Sequence, residues 1–173
     1  MTNVRWTIVA LLTQSSMPLV VIFFAASFGG IGGGWLSSAL LRRGWTVNAA
    51  RKTALLVCAL CVVPVFATPL VPVAHVWRAV ALVALAAAAH CGYAANLFTL
   101  VSDTVPRQAV GSVVGIGGMA GAIAGMFFAQ VVARVLHATN NNYAVPFAIA
   151  ATTYSLALLL IHLLLPRLEP MAS

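Results

Sequence analysis

The sequence has few charged residues and almost no acidic ones. Only 6% of its 173 residues are charged, with two Asp or Glu against nine Lys or Arg. A soluble domain carries about 25% charged residues, so this chain has too few to cover a water-facing surface. The scarcity excludes a typical cytosolic enzyme and a disordered chain. It also argues against a nucleic-acid binder, because the cations are scattered between apolar runs and form no basic face.

Cysteine and carboxylate chemistry is equally sparse. Three cysteines cannot form a fully paired disulfide framework. Cys58 and Cys61 have CxxC spacing, but they lie among Leu, Val and Ala with no second pair, where a buried thiol is inert. The GxGxxG-like stretch Gly115–Ala120 follows no strand, so it does not indicate a dinucleotide site. We therefore expect no metal and no cofactor.

Catalytic residues are also lacking. The two carboxylates, Asp103 and Glu169, are expected in a loop and in the C-terminal tail. No Ser-His-Asp arrangement can be argued, and the four histidines show no metal-ligand spacing. We therefore expect that the chain is not an enzyme.

Long apolar runs dominate what is present. The hydrophobic fraction is 62% and the mean hydropathy is +1.05. A membrane-spanning helix needs about 20 apolar residues, and five runs qualify: Met17–Leu41, Thr53–Ala74, Val76–Val101, Ala109–Leu136 and Ala144–Leu165. None alternates in polarity as a barrel strand would. The sequence predicts an all-α, multi-pass membrane protein of about five helices in a lipid bilayer.

The first 16 residues fit this pattern least well. A cationic start and a short apolar stretch are compatible with a signal peptide. The alternative is a displaced piece of an earlier helix. Residues 1–16 are therefore set apart from the main unit, residues 17–170, and from a tail at 171–173.

The cations predict the orientation of the helices. Arg42, Arg43, Arg51 and Lys52 are expected in one loop, which the positive-inside rule places in the cytoplasm. Alternation of the spans then places Arg107 and Arg167 on the same side, so that six of nine cations and the C-terminus are cytoplasmic.

Glycines are concentrated in two places. Gly111, Gly115, Gly117, Gly121 and Gly125 repeat a four-residue spacing and predict a face for close helix packing or sliding. Five glycines between Gly29 and Gly34 predict a flexible or tightly packed helix end before the cationic loop. Simple close packing and a moving contact between bundle halves both remain open for this second group.

Polar residues within the third span carry the functional prediction. His90, Tyr93 and Asn96 are three residues apart and share an arc of about 120° on a helix. Intramembrane polar groups are costly unless they face other helices or a water-filled cavity. Two interpretations of these three residues remain open: hydrogen bonding between helices, or a surface that faces the substrate. The second span has almost no polar residue, so a position at the lipid-facing periphery is expected for it.

Seven segments of the chain carry a resemblance to a known family: Gly32–Ser38, Arg42–Trp45, Asn48–Lys52, Ala89–Asp103, Pro106–Arg107, Ser112–Gly121 and His162–Pro170. They resemble the major facilitator superfamily, most closely its anion:cation symporter family of hexuronate and related sugar-acid permeases. Cys91 and Tyr93 depart from the amide and indole that are common there.

The resemblance implies helices eight to twelve of a twelve-helix carrier that takes up a sugar acid with a proton by alternating access in the bacterial inner membrane. His90, Tyr93 and Asn96 would contribute to the sugar-binding surface. Arg42, Arg43, Arg51 and Lys52 would serve as inner-gate and topology residues, with Asp103 as a nearby loop anchor. The family's N-terminal half would be the missing partner, and we expect no transport by the chain alone. The alternative is a non-transporting membrane fragment or relic with an assembly or regulatory role.

Overall fold

The computed structural model describes residues 2–72, 75–140 and 142–165, and these residues form five long helices. The helices are α1 (Thr2–Arg42), α2 (Val47–Val62), α3 (Val76–Thr104), α4 (Arg107–Ala138) and α5 (Ala144–Leu164). A 3-10 segment, Val63–Leu70, continues α2 where Pro64 and Pro69 interrupt α-helical hydrogen bonding. The described residues contain no β-strand.

All five helices are long and apolar enough to cross a membrane. The candidate spans are Ser16–Arg42, Val47–Leu70, Val76–Thr104, Arg107–Ala138 and Ala144–Leu164. This confirms the predicted fold class of an all-α, multi-pass membrane protein. Helix α1 continues through residue 16, where the sequence suggested a boundary. The tail at 171–173, together with Arg167 and Glu169, lies outside the described residues.

The connection between α1 and α2 is shorter than predicted. Gly44 has a positive φ of 84°, and the amides of Gly44 and Trp45 donate to Leu41 O (3.0 Å) and Leu40 O (3.2 Å). This Schellman pattern ends α1. Two residues later, the Thr46 hydroxyl accepts the Ala49 amide at 3.3 Å and caps α2.

The prediction that four cations share this loop is therefore wrong. Arg42 is the last residue of α1, whereas Arg51 and Lys52 lie in the first turns of α2. Only Arg43 lies in the turn itself. The Thr46 cap starts α2 six residues before the predicted span, because a polar cap and two cations lower the local hydropathy without preventing a helix.

Asp103 is also misplaced by the sequence prediction. It lies in the last turn of α3 rather than in a loop, because that helix extends to Thr104. The connection to α4 consists of Val105 and Pro106. A proline disfavours helical conformation in the residue before it, which accounts for an extended Val105 immediately after the helix.

The closest packing joins α1 to α3 through residues without bulky side chains. A Cβ added to Gly29 would collide with the backbone of Ala88, and one added to Gly33 would lie 2.5 Å from Gly92 Cα. A Cβ on Gly92 would lie 2.9 Å from Gly29 O. Pairs of small residues spaced by four thus face each other on both helices. The two alternatives for these glycines were close packing and a moving contact, and the observed contacts show close packing. The glycines lie within α1 and not at its end, which is at Arg42.

Helix α2 lies against α1, α3 and α5 and contributes much of the buried core. Leu55, Cys58 and Ala59 pack with Tyr93 and Leu100 of α3, and α5 closes over this cluster. Nearer the 3-10 segment, Val62 and Val65 pack with Ala89 and Ala151. The predicted peripheral position of this helix is therefore wrong. An apolar sequence suits both lipid and a helix interface, so its lack of polar residues did not discriminate between them.

Helix α4 is the most open helix. None of its residues is buried. Gly111, Gly115, Gly117, Gly121 and Gly125 have no neighbouring atom within 4 Å of an added Cβ. Within the described part of the chain, these glycines do not form the close helix contact that their spacing predicts. The small residues that pack against Ala88 and Gly92 of α3 belong to α1 and not to α4.

The two kinds of glycine on α1 give a direct test of the close contact. We expect Gly33→Ala to lower the free energy of unfolding by about 1–3 kcal/mol, as overpacking does elsewhere. Gly32→Ala and Gly34→Ala are matched controls, because an added Cβ meets nothing within 4 Å at either position. They should raise helix stability by up to about 1 kcal/mol each. Unfolding by SDS in mixed micelles, followed by circular dichroism, measures all three; equal effects would contradict the assignment.

Candidate functional site

The strongest polar cluster lies at the cationic end of the bundle and joins three helices. Arg51 Nε of α2 donates to Asp103 Oδ2 of α3 at 2.8 Å. Arg51 Nη1 donates to Ser37 Oγ of α1, also at 2.8 Å. The Ser37 hydroxyl in turn donates to Gly34 O at 3.1 Å. We call Ser37, Arg51 and Asp103 the arginine clamp.

The clamp is shielded from solvent. The Arg51 side chain is 11% exposed and that of Asp103 is 29% exposed, while Ser37 is fully buried. Charge-assisted hydrogen bonds are about twice as strong as neutral ones, and a partly buried charge becomes costly once its partner is removed. Arg51 and Asp103 therefore fix the relative positions of α1, α2 and α3 at this end.

The other predicted inner-gate residues lie around the clamp. Lys52 Nζ donates to Leu165 O at 2.6 Å, which links the start of α2 to the end of α5. Arg42 and Arg43 are exposed. The structure thus brings Arg51 and Asp103 into direct contact. Lys52 is next to Arg51 in the sequence but bonds to Leu165 O instead. A gating role for these residues stays a prediction.

Asn96 makes a helix–helix contact at the glycine interface. It is fully buried, and its Nδ2 donates to Gly33 O of α1 and to Gly92 O of its own helix, both at 2.9 Å. The absent side chains of these glycines allow the amide to reach both carbonyls. Of the alternatives open from sequence, these bonds favour helix–helix hydrogen bonding, and direct contact with a substrate would require α1 and α3 to separate.

His90 and Tyr93 both meet Tyr154 of α5. His90 Nδ1 and Tyr154 Oη are hydrogen-bonded at 2.6 Å. The Tyr93 and Tyr154 rings pack edge to face, with their centroids 5.2 Å apart. Tyr93 is 5% exposed, whereas His90 is exposed. His90 is thus the member of the predicted trio that is accessible from outside the helix interface, and its role in substrate binding stays a prediction.

Sequence reasoning missed Ser37 and Tyr154 as members of these contacts. Ser37 follows Gly33 by four residues, so it continues the small-residue face of α1 towards the clamp. Tyr154 is a hydroxyl-bearing aromatic within an apolar span, and in lipid such a group needs a hydrogen-bond partner. These two signals were present in the sequence, but neither indicates which helix provides the partner.

Metal-ligating residues are dispersed through the described part of the chain. Its residues include no group of three His, Cys, Asp or Glu side chains that could hold a metal ion. Cys58, Cys61 and Cys91 are free thiols, and Cys58 is buried. The CxxC pair lies on α2 against the core, where Cys58 packs beside Tyr93.

Comparison with known proteins gives an anion transporter as a relative. No protein-family model matches the chain. The chain is similar to the probable nitrate/nitrite transporter NarK2 of Mycobacterium tuberculosis, in strains CDC 1551 and H37Rv, with 31% identity over 121 residues. The match covers 70% of this chain but only 28% of each relative, so the chain spans little more than a quarter of their length. These relatives are named for nitrate and nitrite, whereas the residue resemblance implied sugar acids.

A double-mutant cycle tests the arginine clamp. Arg51→Ala, Asp103→Ala and the double variant should give a coupling free energy of about 1.5–3 kcal/mol, the range for hydrogen bonds to charged groups. Ser37→Ala should cost about 1.5–3 kcal/mol, because it removes the acceptor of a charge-assisted hydrogen bond. Arg43→Ala is the control, since an exposed arginine outside the clamp should change stability by less than about 0.5 kcal/mol. Additive effects of the Arg51 and Asp103 variants would contradict the clamp.

Proposed function

We propose that the chain is part of a multi-pass membrane carrier that moves small anions by alternating access and that it has no enzymatic activity. The similarity to a nitrate/nitrite transporter over 121 residues is the observation that carries this proposal. Five helices of spanning length and a cluster of cations at one end are consistent with it.

The packing suits the mechanical part of such a carrier. Alternating access is largely a rocking of one helix bundle against another around a fixed site. A bundle that rocks must keep its own helices together. The glycine contact between α1 and α3 and the arginine clamp across α1, α2 and α3 supply that rigidity. The open faces of α1 and α4 are the surfaces available for contact with another bundle.

For the substrate, we place an inorganic anion of the nitrate or nitrite type first, because the similar proteins are named for it. A hexuronate or related sugar acid, taken up with a proton, is the second candidate and is supported by the resemblance of Ala89–Asp103 to sugar-acid permeases. In both cases Arg51 serves the clamp, since its guanidinium is already engaged by Asp103 and Ser37.

A chimera tests the proposed function. Residues 17–165 would replace the matching segment of the M. tuberculosis transporter, and uptake of labelled nitrate, nitrite and glucuronate would be measured in vesicles. We expect nitrate or nitrite uptake well above that of empty vesicles. Glucuronate uptake would instead favour the sugar-acid candidate. A helical, membrane-inserted chimera that moves none of the three anions would contradict a carrier role.

We also propose that the cationic end of the bundle is cytoplasmic, with the chain in a bacterial inner membrane. The positive-inside rule supports this orientation. Arg43→Cys should react with a membrane-impermeant maleimide only after cells are permeabilised, whereas Asn140→Cys, at the opposite end, should react in intact cells. Both positions are exposed and lie in turns. Labelling in the reverse order would contradict the orientation.

A further inference from the structure

One ionisable side chain lies near the middle of the membrane-spanning part of the bundle. His90 is midway between Val76 and Thr104, the two ends of α3, and is about 21 Å along the helix from either of them. Every Lys, Arg, Asp and Glu of the five candidate spans lies in the first or last two turns of its span. Among these spans, His90 is therefore the side chain that can place a positive charge at mid-membrane.

His90 also lies on an open side of α3. Tyr93 and Asn96, further along the same helix, are buried, whereas His90 is exposed. An ionisable side chain at this depth is costly in lipid, and such residues almost always face a bundle interior or a water-filled cavity. Transported substrates bind at the same depth in carriers that rock two bundles against each other. These two principles favour a cavity position for His90 over one in lipid.

Tyr154 of α5 holds the imidazole in one orientation. Its Oη and His90 Nδ1 are hydrogen-bonded at 2.6 Å, and the two rings pack edge to face. A phenol hydroxyl can donate to Nδ1 of a neutral ring or accept from the N–H of a protonated one, so the contact is possible in both charge states. His90 Nε2 has no hydrogen-bond partner among the described residues. It is the ring nitrogen that can meet a ligand.

The charge of His90 changes without a neighbouring charge to cancel it. The titratable groups of the helices packed around it are Tyr154 of α5, Tyr93 and Cys91 of α3, and Cys58 and Cys61 of α2. Phenols and thiols ordinarily lose their protons above about pH 8, whereas histidine gains its charge between about pH 5 and 8. Helices α1 and α4 carry ionisable groups only near the ends of their spans. Asp103, the carboxylate of the described residues, is about 20 Å along α3 and is bonded to Arg51.

We propose that the imidazolium form of His90 binds the transported anion, so that the anion is bound together with one proton. The proton comes from water, Nε2–H donates to an oxygen of a nitrate, nitrite or carboxylate group, and Tyr154 is a positioning residue. A charge-assisted hydrogen bond of this kind is about twice as strong as a neutral one. Arg51 is already engaged by Asp103 and Ser37. This inference rests on the proposed anion carrier and adds a proton requirement to its substrate site.

Nitrogen-15 NMR of the full chain, labelled at histidine in dodecylmaltoside micelles, tests the site without requiring transport. Spectra between pH 5 and 8, with and without sodium nitrate, give the titration midpoint of each histidine. We expect nitrate to raise the midpoint of His90 by about half a pH unit, because a ligand that prefers the protonated ring favours protonation; this shift corresponds to about a threefold preference. His75, His137 and His162 are exposed near helix ends and are internal controls for ionic strength.

Uptake by the chimera with the M. tuberculosis transporter tests the proton requirement. Labelled nitrate would be supplied at low concentration, with equal pH inside and outside the vesicles. Uptake should fall as the pH rises from 5.5 to 7.5, by up to about tenfold per pH unit, the limit for one linked proton. His90→Gln should remove this dependence and lower uptake at pH 5.5 at least about fivefold, since binding then lacks the charge.

Three further variants separate charge from structure. His90→Arg carries a permanent charge and should restore uptake without pH dependence. Tyr154→Phe removes the partner of Nδ1 and should lower uptake while leaving its pH dependence in place. His137→Gln makes the same substitution at an exposed histidine near a helix end and should change neither. Circular dichroism of each variant checks that the helices are intact.

Two results would overturn the inference. The first is an equal effect of nitrate on the midpoints of all four histidines, which would show ionic strength only. The second is nitrate uptake with the same pH profile whether residue 90 is His or Gln. A chimera that moves no anion, combined with a nitrate-dependent shift at His90 alone, would contradict the proposed function and still support the anion site.

Discussion

The backbone contact between α1 and α3 is the interaction on which the rest of the described structure depends. In a bilayer, an apolar side chain gains little free energy by exchanging lipid contacts for protein contacts. Helices therefore associate through close packing and hydrogen bonds. Gly29 and Gly33 let α1 approach Ala88 and Gly92 of α3 until no Cβ would fit between them. That approach brings Gly33 O within reach of Asn96. One turn further along α1, it brings Ser37 to Arg51.

The larger polar side chains of the bundle join helices, whereas most of its Ser and Thr hydroxyls donate to carbonyls of their own helix. Asn96 joins α3 to α1, His90 joins α3 to α5 through Tyr154, and Arg51 joins α2 to both α1 and α3. Such bonds are stronger in surroundings of low dielectric constant than in water. A chain with 6% charged residues can still be held in a defined arrangement if one ion pair joins its helices, as Arg51 and Asp103 do here.

The sequence predicted the helices well and their ends and neighbours poorly. Apolar run length is enough to identify five spans, because the bilayer sets a minimum length. It could not locate the start of α2, which depends on the Thr46 cap, or the end of α3 at Thr104. It could not distinguish the glycines of α1 from those of α4 either. Both groups have the spacing for close packing, and only the position of Ala88 and Gly92 decides which group has a helix against it.

The turn between α1 and α2 also determines which way α2 faces. Gly44 ends one helix and Thr46 begins the next, and only four residues separate the two helices. A turn this short leaves little freedom in how α2 is oriented. Each residue added to a helix turns it by about 100° and advances it by about 1.5 Å. A single insertion that moved the start of α2 would therefore rotate Arg51 away from both Ser37 and Asp103 while leaving every side chain unaltered. The length of this turn sets the rotation of α2 about its own axis, and the arginine clamp can form only at that rotation.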